Sequence, residues 1–271
     1  MKITAVLPVI GLALLCNTAE AQTQAFDGPS QIQHRKSVSC YPTSEKDMMW
    51  AKRVWRTMDL REKFNHPLYF PETPVQGRRS LFDAIKAGML SGEINGYDVN
   101  DNGVMFSVEM SKGEVQQIFN AGSESVRGNS MEPFDDVPLT SADVKAWWMM
   151  EDWFFDKQRS VMDVRIKGMC PLRERKTATG QVRGYQPMFW LYFEQVRPVL
   201  VRYACFNSKN DASGLSYDDV FQKRMFSSYI HKELNMYSSG TEMVVKGLDA
   251  QLEADRIRIG LSTMEHDFWN Y

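Results

Sequence analysis

From Met162 the chain alternates cleanly. Met162, Val164 and Ile166 fall on one side and Asp163, Arg165 and Lys167 on the other, which predicts a half-buried strand over 161–168. Elsewhere the apolar positions recur mostly at helical spacing. Ala51, Val54, Trp55 and Met58 follow i, i+3, i+4, i+7 behind a capping-box spacing at Ser44 and Asp47, and predict an amphipathic helix ending before Pro67. Its polar side carries Lys52, Arg53, Arg56 and Arg61. Leu81, Ile85 and Met89 predict a second helix over about 80–90, stopped by Gly92 and Gly96. Behind the capping-box spacing of Thr140 and Asp143, Val144, Trp147, Trp148, Glu151, Phe154 and Phe155 form one stripe. That stripe predicts a Trp-rich helix to about Asp156.

Between these segments the signals are shorter. Residues 97–110 read as a hairpin with Asn100, Asp101, Asn102 and Gly103 at its turn,. A short helix is expected over 111–120 and a loop over 121–139, where Gly, Ser, Pro and acids gather. The apolar run at 188–193 after Pro187 predicts a buried strand. Residues 196–206 are ambiguous, with Pro198 suited to a first helical turn. Two helices, roughly 216–235 and 241–262, close the chain. The sum is an α+β fold, with amphipathic helices packed on a small, mostly antiparallel sheet. The domain spans 44–271, with two lobes as one arrangement if the 121–139 loop divides it.

The start of the chain changes the expected compartment. Lys2, the apolar run 3–15 and the small-x-small set Ala19, Glu20 and Ala21 read as a secretory signal over 1–21, cleaved before Gln22. The run is shorter than the ~20 apolar residues that span a bilayer. Leu14 and Leu15 precede Cys16 where lipidation would call for small residues. Residues 22–43 are polar, lack an apolar period and read as a flexible or partner-bound arm. The net charge is −2 with mixed signs along the chain, which argues against a clustered basic nucleic-acid footprint. Cys40, Cys170 and Cys205 remain after cleavage. An odd count permits one bridge, for which Cys170 and Cys205 are the candidates, and leaves Cys40 over.

Candidate chemistry is sparse. Asp98, Asn100, Asn102, Gly103 and Glu109 match a calcium-loop pattern,. The strand spacing of Val104, Phe106, Val108 and Met110 favours a hairpin, and no metal or cofactor is expected. Glu151, Asp152 and Asp156 sit among aromatics. On a helix Asp152 and Asp156 share a face, the basis of an alternative reading as a glycosidase-like periplasmic hydrolase. Glu151 instead falls on the apolar stripe, as a semi-buried carboxylate paired with an arginine. His34, His66, His231 and His266 are dispersed, and no catalytic or phosphate-binding motif is present.

Ordered blocks along most of the mature chain resemble the GldN/PorN family, a periplasmic component of type IX secretion and gliding machinery. Trp50, Val54, Trp55 and Arg56 lead into Asp59-Leu60-Arg61-Glu62-Lys63. A central block holds Asp163-Val164-Arg165-Ile166 and Cys170-Pro171. Later blocks hold Phe189-Trp190, Tyr192-Phe193, Tyr217-Asp218-Asp219-Val220-Phe221 and Lys223-Arg224-Met225-Phe226. The last block is Glu265-His266-Asp267 with Trp269. The resemblance implies a non-enzymatic structural subunit of a periplasmic ring. A GldK/PorK-like lipoprotein would hold it at the outer membrane, and GldL/PorL-like and GldM/PorM-like motor proteins would contact it. It transfers no catalytic residues. With it, the basic side of the first helix, at Trp50, Arg53 and Arg56, becomes a candidate partner interface.

Overall fold

The computed structural model describes residues 32, 34–75, 77–99, 106–120, 139–176, 182–206, 214–234 and 248–269. Among them, seven strands form one sheet. They are β1 (Met48–Asp59), β2 (Gly96–Tyr97), β3 (Val144–Asp156), β4 (Val161–Lys176), β5 (Val182–Pro187), β6 (Trp190–Tyr192) and β7 (Tyr229–Glu233). The order is β2-β6-β4-β3-β1-β7, with β5 also on β4, and the pairings are antiparallel. Strands from before and after residues 121–138 interleave in this sheet. Six α-helices are described: α1 (His66–Tyr69), α2 (Leu81–Ser91), α3 (Lys112–Asn120), α4 (Phe193–Leu200), α5 (Tyr217–Gln222) and α6 (Leu248–Trp269). The fold is α+β.

Two expected helices are the central strands. Ser44 opens a single 3-10 turn, Glu45–Asp47, and β1 starts at once. The Thr140 capping box closes around another 3-10 turn, Ser141–Asp143, and β3 follows. The physical cause is burial on both faces. Val54 and Met58 point to one side of the sheet and Trp55 to the other, all at most 7% exposed. A strand covered on both sides loses its polar alternation, and its adjacent apolar residues then imitate helical spacing. Register shifts near Val144/Ala146 and Met150/Glu151 disturb the pattern further, as bulges do.

Where one face is wet, the local signals hold. Ser80 caps α2, accepting from the Asp83 amide at 3.1 Å, and Gly92 ends the helix at φ 80°. A side chain there would be strained. β4 runs to Lys176, beyond the expected 168. Only Trp190–Tyr192 of the expected strand at 188–193 is extended, because α4 begins at Phe193 with Pro198 inside it. The expected helix at 216–235 splits into α5 and β7. β5 had no sequence signal.

One face of the sheet carries the main core. Trp147, Met149, Met169 and Leu191 pack there against Leu81, Phe82 and Ile85 of α2 and against Phe119, Phe193, Tyr217 and Phe221. The other face holds Trp55, Met150, Cys170, Leu172, Trp190 and Tyr97, with Phe106 against them. Phe106 lies so close that a Cβ on Gly168 would stand 2.5 Å from its ring. A third cluster joins Val54 and Ile230 to Ile257 and Leu261 of α6. No described helix is long and apolar enough to cross a membrane.

Candidate functional site

Glu151, Asp152 and Asp156 are all on β3, and each meets a different arginine. Glu151 is fully buried. Its carboxylate accepts from Arg224 at 2.8 Å and from the Trp153 indole at 3.1 Å, and Arg56 stands 4.0 Å away. Arg56 donates in turn to the Ser228 hydroxyl at 2.8 Å and the Ser228 carbonyl at 3.1 Å. Burial pulls the Arg56 guanidinium below its ordinary pKa, with Glu151 opposing that pull. Arg224 follows α5 in the left-handed region, at φ 53°. Its guanidinium lies over the rings of Phe226 and Trp153. One buried carboxylate thus ties β1, β3 and the turn between α5 and β7 together; the expected pairing of Glu151 with an arginine is present, on a strand rather than a helix.

The carboxylate pair of the hydrolase reading is not formed. Arg53 grips Asp152 with two bonds, at 2.6 and 2.9 Å. Asp156 accepts from Arg159 at 2.8 Å and from the Gln158 amide at 2.9 Å. The Arg159 guanidinium and the backbone amides of Gln158 and Arg159 hold the Asp156 carboxyl below the usual range against burial. On a helix Asp152 and Asp156 would be neighbours. On a strand four residues span about 13 Å, beyond the ~5–9.5 Å at which paired carboxylates cleave a glycosidic bond.

The expected partner surface is also redistributed. Strand geometry sends Trp50 and Arg56 to the face that packs α6 and the α5–β7 turn, and Arg53 to the opposite face. Trp50 meets Phe268 edge-on at 6.5 Å, so Trp50, Arg53 and Arg56 are not one basic side of a helix. Cys170 and Cys205 are free, buried thiols. They lie in different core clusters, so the expected bridge does not form. The calcium-loop residues Asn100, Asn102 and Gly103 lie outside the described residues. The hairpin's base does pair, Asp98 N to Val108 O at 3.1 Å and Met110 N to Gly96 O at 2.8 Å. Glu109 turns to Asn95 and the Tyr97 hydroxyl, both at 3.3 Å. Among the described residues no group of three or more His, Cys, Asp or Glu could hold a metal.

What the sequence reading missed is a groove beside β4. β6 pairs with β4 only at Gly168 and Met169, and β5 joins from Leu172. Among the described residues, β4 therefore has no strand on its outer side from 161 to 167. A cleft of about 240 Å³ opens there, lined by Cys40, Met162, Arg165, Phe193, Glu194 and Phe221, among others. The segment 34–43 crosses this region without strand or α-helix. Arg197 donates to the Val38 carbonyl and Arg165 to the Tyr41 carbonyl. Arg165 also reaches the Thr43 hydroxyl at 2.8 Å, and Arg159 lies 4.8 Å over the Tyr41 ring. From the segment itself, Arg35 donates to the Gly214 carbonyl at 3.1 Å and pairs with Asp219 at 3.2 Å. Arg197 is only 3% exposed and is anchored by Asp218 at 2.9 Å. Against the pull of burial, Asp218 and Glu194 hold its guanidinium above the ordinary value.

A family model described as gliding motility associated protein GldN matches residues 43–270, most of the chain. No curated protein matches it.

Proposed function

Since the chain belongs to the GldN family of gliding-motility-associated proteins, we propose that it is a non-catalytic structural subunit of a periplasmic ring. The ring supports type IX protein secretion together with gliding. A GldK/PorK-like lipoprotein holds it at the outer membrane, and GldL/PorL-like and GldM/PorM-like motor proteins contact it from the inner-membrane side. The observation that carries the reading is the family match across the whole folded body. A second observation supports it: the three acids set among aromatics on β3 are each committed to an arginine that fixes the fold.

The reading is tested in cells. Removing the chain is expected to abolish both surface spreading and export of secreted cargo, with the full-length chain restoring both. A tagged chain is expected to bring the lipoprotein down with it from periplasmic extracts. Normal export and spreading without the chain would sink the proposal.

A further inference from the structure

We propose that the arm, residues 34–43, is exchanged between neighbouring copies of this chain, so that the groove beside β4 and α4 is a subunit-to-subunit joint. The inference rests on the multi-copy assembly proposed above and names the contact that closes it.

The fastenings of the arm are of a kind that a second copy reproduces. Arg197 and Arg165 take main-chain carbonyls, of Val38 and Tyr41. Arg159 takes a ring, and Arg35 is held by Gly214 and Asp219. Each joins residues more than a hundred positions apart in the chain, so every group that holds the arm belongs to the folded body. An identical arm arriving from another copy makes the same bonds, the basis of exchange between protomers. Holding the copies together raises the local arm concentration and removes most of the remaining cost.

The arm has little of its own to lose on leaving. Residues 35–44 belong to no helix or strand. Extended from Asp47, which the Lys157 amide holds at 2.9 Å, the chain reaches on the order of 20 Å at Tyr41 and 30 Å at Val38. A folded body of about 230 residues has a radius of gyration near 17 Å. The arm therefore reaches the groove of the next body where two bodies pack side by side.

Two further features fit a joint better than a lone subunit. Val38 and Tyr41 are 78% and 51% exposed, although both sit on the segment that lies in the groove. A neighbouring body arriving with the exchange covers them. The groove also borders the stretch of β4 that has no strand partner among the described residues. An open strand edge is a place where chains add to one another, and the arm passes beside it, held by the Arg165 side chain.

The experiment uses two full-length chains with different tags, expressed together. One keeps Cys40 and Glu194. The other carries Cys40→Ser with Glu194→Cys. Cys40 Sγ lies 3.7 Å from Glu194 Oε1, so a short bis-maleimide joins the two positions wherever an arm occupies a groove. Burial lifts the Cys170 and Cys205 thiols to about 12, which keeps them out of the reaction. Neither chain can bridge these positions alone. The expected result is a covalent heterodimer in the assembled fraction and none in the monomer fraction. A third chain, with Cys40 and Glu194→Cys together, reports a bridge within one copy. An assembled fraction showing only that internal bridge would overturn the exchange and leave the ring reading standing. Absence of any assembled fraction would overturn both.

Discussion

Two arginine systems do opposite work in this molecule. Arg56 and Arg224 close on Glu151 between the sheet and the turn after α5, where the carboxylate has no access to water. Arg159, Arg165 and Arg197 hold the carbonyls and one ring of an arm laid over the surface. The first system is specific, since only a carboxylate at 151 completes it. The second is built on main-chain oxygens and one ring, which an identical arm offers again. The acceptor decides the difference: the Glu151 carboxylate is sealed from water and must keep its partners,, whereas the arm's carbonyls lie on a segment that another copy of the arm can replace.

The comparison breaks first at Glu151. Glu151→Ala leaves Arg56 and Arg224 facing each other without their carboxylate, and loss of one partner of a buried pair costs about 3–5 kcal/mol. Urea unfolding should show this as a large drop in midpoint. A change below about 1 kcal/mol, the size of an exposed pair, would mean that water reaches the site. Trp147→Ala, in the fully buried core beside it, calibrates the scale at about 3–5 kcal/mol.

The Arg53–Asp152 pair sharpens the contrast from the same strands. Its side chains are 36% and 22% exposed. A double-mutant cycle with Arg53→Ala and Asp152→Ala should yield about 0.2–1 kcal/mol of coupling. A value near that of Glu151 would erase the distinction between the two pairs.

On the arm, Tyr41→Ala removes the ring under Arg159 and should cost about 0.5–1 kcal/mol. The global melt should barely move while limited proteolysis between 34 and 43 accelerates. A matching fall in global stability would show the arm to be part of the core.

The smallest effect is one of pH. The Ser216 amide and hydroxyl, with Lys223 and Arg35, hold the Asp219 carboxyl below its usual 3.8 against burial. A depressed carboxyl contributes stability above 3.8 and loses it as pH falls through the lower folded value. Proteolytic protection of the arm should therefore persist at neutral pH and decline below about pH 4. Protection that declines already at pH 6 would assign the anchor to another group.

The ends of α2 were legible because Ser80 and Gly92 act within one turn of chain. The alternation of β4 was legible where polar residues still mark one face. β1 and β3 were not, because Val54, Trp55 and Met58 are covered from both sides and no polar face remains to display the period of two. The pairing of Glu151 with an arginine could be read from its place on an apolar stripe, even though that stripe belongs to a strand. Which arginine could not be read, since Arg224 lies 73 positions away and reaches the site only after α5 packs. Arg197 and the groove were hidden for the same reason. The arm's polar sequence gives no period, and its order comes from bonds spanning 122 to 184 residues.

The claim on which the rest depends is that this chain works in many copies. The direct measurement is the mass of the purified full-length chain, by light scattering after gel filtration, with and without the proposed lipoprotein partner. The account predicts that the complex elutes at many times the single-chain mass of 31.2 kDa, and appears as closed rings under the electron microscope. A chain that stays at single-copy mass in both preparations, or binds the lipoprotein one to one and goes no further, would contradict it.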